Sequence, residues 1–310
     1  MCRAMMYLGE PVQLDDLLFK PDSSLVNQAY MPRMLHMLNL AGFGMMAWDS
    51  TSFVPDVPHR YRSPSLPIFD GNLKSLAIKT RAECVIAHVR GVAYSTSVKV
   101  SEQNTHPFHF PGAAVAMAHN GDIYRIGDLK RTLAEAIAPD LLAQISGSTD
   151  SEWVYALLLS QLADWRAEPA PDELVAAVQR TVDLIEAARR RHGIAISSSC
   201  NLFLTTGRQI LGLRHCFDFG HYRTGSPDQL HEANMTFLSM WFTTGRDYGL
   251  HDGEWQMVGG EEEPRAIIIA SEPLSSNSAT WMPVPEYAMV HAAMDGKRPD
   301  FRVIDRKSVV

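Results

Sequence analysis

Residues 1–8 read Met1-Cys2-Arg3-Ala4-Met5-Met6-Tyr7-Leu8, and the reading of the whole chain turns on the second of them. Loss of the initiator methionine, taken as an expectation, leaves Cys2 with a thiol and a free α-amine on one residue. An α-amine titrates near ~7.7–8 and a thiol near ~8.5, so both exchange protons usefully at neutral pH. A Cys, Ser or Thr served by its own terminal amine is one way a weak nucleophile is activated. The run that follows is mostly apolar and meets a turn signal at Gly9-Glu10-Pro11. The pattern predicts a strand over about 2–8, which sets Cys2 at the start of a rigid element.

Working outward, Gly42–Trp48 is a further strand candidate whose glycines mark a close approach of backbone or ligand. Residues 51–68, rich in Pro, Ser and aromatics, suit a covering surface loop, and Asn72 is placed as the cap of a short helix. Cys84–Val89 and Ala113–Ala118 read as buried strands; the first delivers Arg90 at its end, the second His119-Asn120-Gly121. Both endings then fall on one rim of a sheet. Thr149-Asp150-Ser151-Glu152 is a capping box opening a helix. Another helix follows Pro171-Asp172, with Leu174, Val178, Val182 and Ile185 on one face. Its last turn holds Arg189, Arg190, Arg191 and His192, read as a solvated, dipole-matched end stopped by Gly193. Strands over 201–205 and 209–213 flank the turn Thr206-Gly207-Arg208. Further strands are expected near 236–242, 265–270 and 286–293. A polar tail follows Gly296, so the chain reads as one domain over 1–310 with a core of about 2–295.

Composition narrows the field. With 28 Lys and Arg against 35 Asp and Glu the net charge is −7, so bulk electrostatics recruit neither nucleic acid nor an anionic membrane. No apolar run approaches the ~20 residues that span a bilayer, and Glu10, Asp15 and Asp16 interrupt any signal-peptide pattern. The four cysteines, Cys2, Cys84, Cys200 and Cys216, contain no CxxC and suit a reducing cytoplasm better than a disulfide framework or a zinc site. His215, Cys216 and His221 lack a completing ligand and read as packing, the 15 methionines as core filler. No metal and no cofactor is expected.

Set together, MCR at 1–3, LLFKPDSSLVNQ at 17–28, AGFG at 41–44, AHVR at 87–90, NTHPF at 104–108, AHNGDI at 118–123, GSTDSE at 147–152 and SEPL at 271–274 resemble the class II glutamine amidotransferases. These are N-terminal nucleophile hydrolases. The chain is most similar to their small stand-alone branch, which includes the ergothioneine-pathway γ-glutamyl amidohydrolase and the amidotransferase-like subunit of fungal glutathione degradation. The resemblance implies an α+β fold, a four-layer αββα sandwich. It implies hydrolysis of a γ-glutamyl amide through a thioester on Cys2, whose α-amine handles the proton. Asn120 and Gly121 match the oxyanion hole, Arg90 the clamp on the substrate α-carboxylate, and Asp150 the carboxylate that takes the ammonium. Such a site specifies the glutamyl half of a small-molecule γ-glutamyl substrate better than the departing amine. His88, His106 and His119 are placed as hydrogen-bonded scaffold around it.

Two departures bear on specificity. Where relatives commonly read NGDGFG this chain reads Asn39-Leu40-Ala41-Gly42-Phe43-Gly44, so an acid is missing at Ala41. The stretch between Arg90 and Asn104 is long, and Ser95 and Thr96 within it receive no assignment. Two other readings stay open: a glutaminase subunit feeding ammonia to a partner enzyme subunit, and a non-catalytic subunit that uses the fold for assembly.

Overall fold

Uninterrupted apolar strands need cover on both faces, and the computed structural model supplies it with two sheets and two helical layers. It describes residues 2–34, 38–92, 100–222, 224–230, 239–260, 263–296 and 298–305. The first sheet has seven strands: β1 (Arg3–Gln13), β2 (Phe43–Trp48), β3 (His59–Ser63), β4 (Arg81–Val89), β9 (Trp241–Gly245), β12 (Ala266–Ala270) and β13 (Met282–Pro283), in the spatial order 13-9-12-1-4-2-3. The second has β5 (Ala116–Gly121), β6 (Ser198–Thr205), β7 (Gln209–Leu213), β14 (Ala288–Asp295) and β15 (Arg298–Asp305), in the order 15-14-7-6-5, with β8 (Cys216–Phe217) on the end of β6. A separate hairpin joins β10 (Asp247–His251) to β11 (Glu254–Val258).

Strand alternation assigns the layers. Ala4, Met6 and Leu8 of β1, Cys84 and Ile86 of β4, and Ile267 and Ile269 of β12 share a buried cluster with Ala116, Ala118, Phe203 and Ile210 of the other sheet. Their neighbours Met5, Tyr7, Val85, Ala87 and Ile268 point the other way, onto α1 (Leu14–Leu18) and α2 (Gly71–Ala77). On the far side, Met117, Leu202, Leu204 and Leu211 pack beneath α3 (Ile126–Ala134), α4 (Pro139–Leu142), α5 (Asp150–Leu159) and α6 (Pro171–Arg191). The result is the αββα sandwich.

Several expectations shift in detail. β1 does not stop at Gly9-Glu10-Pro11: its pairing with β4 slips between Leu8 and Val12 and resumes, so a bulge absorbs the turn residues. Within 51–68, His59–Ser63 forms the edge strand β3. Asp70, not Asn72, caps α2, its carboxylate accepting from Asn72 N and Leu73 N. The strand expected at 113–118 runs over Ala116–Gly121, because pairing with β6 continues through Asn120 and Gly121. The strand expected near 236–242 starts at Trp241, and 236–238 lie outside the described residues. Within the stretch read as a tail, Arg298–Asp305 form β15, which pairs with β14 over its whole length. Arg189 is buried rather than solvated: it donates to Ser198 Oγ (2.8 Å) and Ile196 O, pairs with Asp218 (2.9 Å) and lies over the Phe217 ring. His215 packs edge-on against Phe217 and Tyr287. Among the described residues no helix is long and apolar enough to cross a membrane.

Candidate functional site

Cys2 stands immediately before β1, the central strand of its sheet, so β12 and β4 flank it. Only 9% exposed, it is held where β4 ends: Gly91 N donates to its Sγ at 3.4 Å, and Gly91 O lies 3.5 Å away. The residue between strand end and glycine is Arg90, whose N–H donates to Gly42 O and whose carbonyl accepts from Ala41 N, both at 2.8 Å. Ala41 is therefore a buried methyl on the segment that pins Arg90. Burial draws the Arg90 guanidinium below its ordinary pKa, while the charges of Cys2 and Asp150 act in the opposite sense. One cation is thus electrostatically shared by the Cys2 thiol and the Asp150 carboxylate.

A second cluster ties the chain's start to β5. Ser271 and Glu272 follow β12 directly. Ser271 Oγ accepts from Ala4 N and from Asn120 Nδ2, each at 3.0 Å, and Ser271 N returns a bond to Ala4 O. Glu272 pairs with Arg3 at 3.2 Å, both side chains fully buried, and Arg3 Nη1 donates to Cys2 O at 3.1 Å. The same carboxylate accepts Arg33 N and Met34 N, each at 3.1 Å. Two consecutive residues therefore set the distance between the Cys2 backbone and the Asn120 amide. The sequence motif SEPL flagged the stretch but not this role; a Glu and an Arg 269 positions apart leave no local signal.

Next to Asn120, Gly121 admits no side chain: a Cβ there lies 2.0 Å from Ser199 O and 2.5 Å from His119 Nε2. Its N–H and backbone path depend on that closeness. Asp150 opens α5 behind the N-cap Thr149, whose hydroxyl accepts from Glu152 N. Glu152 reaches past the cap rather than back to it, accepting Ser146 N (2.9 Å) and Gly147 N (2.6 Å). Asp150 itself accepts Ile123 N at 2.7 Å and Ser151 N at 2.8 Å, which ties the segment after Gly121 to the helix. Asp122 lies between them and is exposed; partial desolvation by the protein around it pushes its carboxyl up to about 6, and the Asp150 charge adds to the effect. This second acid was legible only as a letter in AHNGDI. Ser95 and Thr96 lie outside the described residues.

Of the three histidines, His119 Nδ1 is 2.9 Å from Ser151 Oγ. His88 and His106 stack at 4.2 Å between ring centroids, and among the described residues neither nitrogen of His106 has a hydrogen-bond partner, so packing holds that ring. Burial keeps all three neutral. His88 is pulled down to about 3, with Arg90 and His119 adding; His106 is lowered further by its neighbours, and His119 is lowered despite Asp150. Unfolded histidines take protons near ~6.5 that these cannot, so their contribution is complete above that pH and is lost as pH falls. Asp122 acts with the opposite sign between its unfolded value and about 6. Stability is expected to fall from pH 6.5 to 5 with up to about 1.4 kcal/mol per pH unit from each histidine. Urea midpoints of wild type and His88→Gln test this; an unchanged slope in the variant refutes it.

The geometry thus gathers Cys2, Arg90, Asn120, Gly121 and Asp150 around the ends of β1, β4 and β5 and the start of α5, and none is left elsewhere in the fold. A family model described as glutamine amidotransferases class-II matches residues 71–223. The probable glutamine amidotransferase DUG3 of Saccharomyces cerevisiae is 29% identical over 302 residues, covering 92% of this chain and 80% of that one. A gamma-glutamyl-hercynylcysteine sulfoxide hydrolase of Mycobacterium tuberculosis is 32% identical over 127 residues, 40% of this chain and about half (51%) of its own length. Among solved structures, a glutamine aminotransferase class-II domain protein from Silicibacter pomeroyi superimposes with a TM-score of 0.58 at 18% identity, covering 98% of this chain and 99% of that one. The glutamine phosphoribosylpyrophosphate amidotransferase of B. subtilis does so at 0.53 and 14% identity, covering 97% of this chain and 49% of that one. These likenesses to solved structures establish the fold alone. With the family match and the near full-length relative in agreement, the chain carries a class II glutamine amidotransferase domain.

Proposed function

We propose that the protein hydrolyses a γ-glutamyl amide through Cys2. With Met1 removed, Sγ attacks the γ-carbonyl carbon and the C–N bond breaks. The α-amine relays the thiol proton to the departing amine, leaving a glutamyl thioester. Water then adds to the thioester carbonyl, the C–S bond breaks, the thiol is reprotonated and glutamate leaves. Asn120 Nδ2 and Gly121 N–H face the negative oxygen in both steps. Arg90 takes the α-carboxylate, and Asp150, with Asp122 beside it, the ammonium.

The observation that carries this reading is the double tether of the nucleophile. Gly91 holds Sγ while Ser271 joins the Cys2 strand to the Asn120 amide, so nucleophile and oxyanion donor are fixed relative to each other before substrate arrives. The relatives' names direct the substrate choice toward glutamine and γ-glutamyl amides or peptides. We place the protein in a reducing compartment such as the cytoplasm, where Cys2 stays a thiol; all four cysteines are free.

The test is glutamate release from glutamine, glutathione and a series of γ-glutamyl amines, on protein whose intact mass shows Met1 removed. Release from at least one is expected, and the preferred leaving group names the substrate class. Silence with every compound sinks the hydrolytic reading. Weak release that rises on adding a co-purifying subunit identifies a glutaminase serving a partner.

A further inference from the structure

We infer that Asn201 is a positioning residue that fixes which end of the Asn120 amide faces the substrate, an inference that rests on the proposed role of Asn120 as an oxyanion donor. An amide side chain has nearly the same shape in either of two orientations related by a half-turn. Only one of them turns N–H toward a developing oxyanion. The neighbours of Asn120 must therefore choose for it.

Ser271 alone does not choose. Its hydroxyl accepts from Asn120 Nδ2, yet a hydroxyl donates as readily as it accepts and could serve Oδ1 after a flip. The choice comes from the other side. Asn120 on β5 stands directly opposite Asn201 on β6. Strand alternation places both on the inter-sheet face shared by Ala116, Ala118 and Phe203. Both side chains are essentially fully buried.

The orientation of Asn201 is not free, because its Oδ1 accepts from His215 N at 3.1 Å. A backbone N–H can only donate, so Asn201 is locked with Nδ2 at its other end. That Nδ2 and Asn120 Oδ1 are both buried, and among the described residues neither makes a hydrogen bond, to the other or elsewhere. Directly opposed residues carry Cβ atoms about 4.5–5.5 Å apart, within reach of two short amides. A buried donor and a buried acceptor, both unmet and on directly opposed residues, complete each other once a side-chain rotation brings them together. With Oδ1 turned to Asn201, the Asn120 Nδ2 group faces Ser271 with one hydrogen and presents the second to the carbonyl oxygen. Polarity passes from His215 N–H through Asn201 to Asn120, with no covalent change.

The test compares kcat and KM of Asn201→Leu and Asn201→Asp, on whichever γ-glutamyl substrate the wild type turns over, in wild-type and Asn120→Ala backgrounds. Thermal unfolding is followed in parallel. Asn201→Asp keeps the volume and the acceptor for His215 but sets an oxygen against Asn120 Oδ1; it carries the test if Asn201→Leu does not fold. A loss in kcat of about ten- to a hundred-fold is expected, below the ~10²–10³ that removal of an oxyanion donor itself typically brings. KM should stay within about two-fold, and the Asn120→Ala background should show no further loss, since a residue acting through another is non-additive with it. Unchanged kcat in the Asn201 variants, or a loss that multiplies that of Asn120→Ala, overturns the inference while leaving the proposed reaction standing. An Asn120→Ala enzyme as fast as wild type overturns the oxyanion role and the inference together.

Discussion

Cys2→Ala is expected to lose glutamate release by on the order of 10⁴-fold or more, as removal of a covalent nucleophile does elsewhere, while folding normally. Both halves of that expectation come from the same surroundings. Sγ makes two long contacts, to Gly91 N and Gly91 O at 3.4 and 3.5 Å, so its removal deletes little packing, about 1 kcal/mol or less of stability. The tethers that shape the site run instead through the backbone of residues 2 and 4, which alanine leaves in place. Rapid quenching of wild type with a slow substrate should reveal a glutamyl adduct on the N-terminal peptide, absent from the variant. Residual release within ten-fold of wild type would exclude Cys2 as the nucleophile.

Glu272→Ala carries the largest expected loss of stability. The carboxylate is buried with Arg3 at 3.2 Å and also accepts two backbone N–H groups, from Arg33 and Met34. Removing the carboxylate takes the Glu272 charge away from a buried cation and two backbone N–H groups, and breaking a buried pair typically costs about 3–5 kcal/mol. A paired Arg3→Met, Glu272→Met variant removes both charges and should recover most of that stability, since such pairs are often replaceable by well-packed apolar residues. It should not recover activity, because Cys2 O loses its bond from Arg3 and residues 33–34 lose their anchor. Denaturant midpoints and kcat on the same preparations decide it. A double variant with both stability and full turnover would show that the ion pair does not position Cys2.

What was legible in the sequence divides by distance along the chain. The buried strands were readable because Cys84–Val89 and Arg265–Ala270 are apolar on both faces, and the helices because Thr149 and Pro171 announce their starts. The points of failure have local physical causes. Pairing with β6 carried β5 through residues that look like a turn, Asn120-Gly121. The partnership of Arg302 with Asp172 and of β15 with β14 gave structure to a segment whose composition reads as a tail. Arg189 looked solvated because its three neighbours in the run are cations or histidine, yet it alone turns inward to Asp218 and Phe217. Within the site, residue types could be read one by one, but the clip made by Ser271 and Glu272 and the pairing of Asn120 with Asn201 join segments far apart in sequence. Only the assembled sheets bring them together.

The position of β1 between β4 and β12 also has a consequence in time. During synthesis the first strand leaves the ribosome long before residues 266–272, so one of its edges stays unpaired and Cys2 lacks its tether to Asn120 until nearly nine-tenths of the chain has been made. Contacts of such separation form late and slowly. The thiol therefore spends translation outside the geometry proposed for catalysis, and a nascent chain stalled before β12 should carry the cysteine without its reactivity.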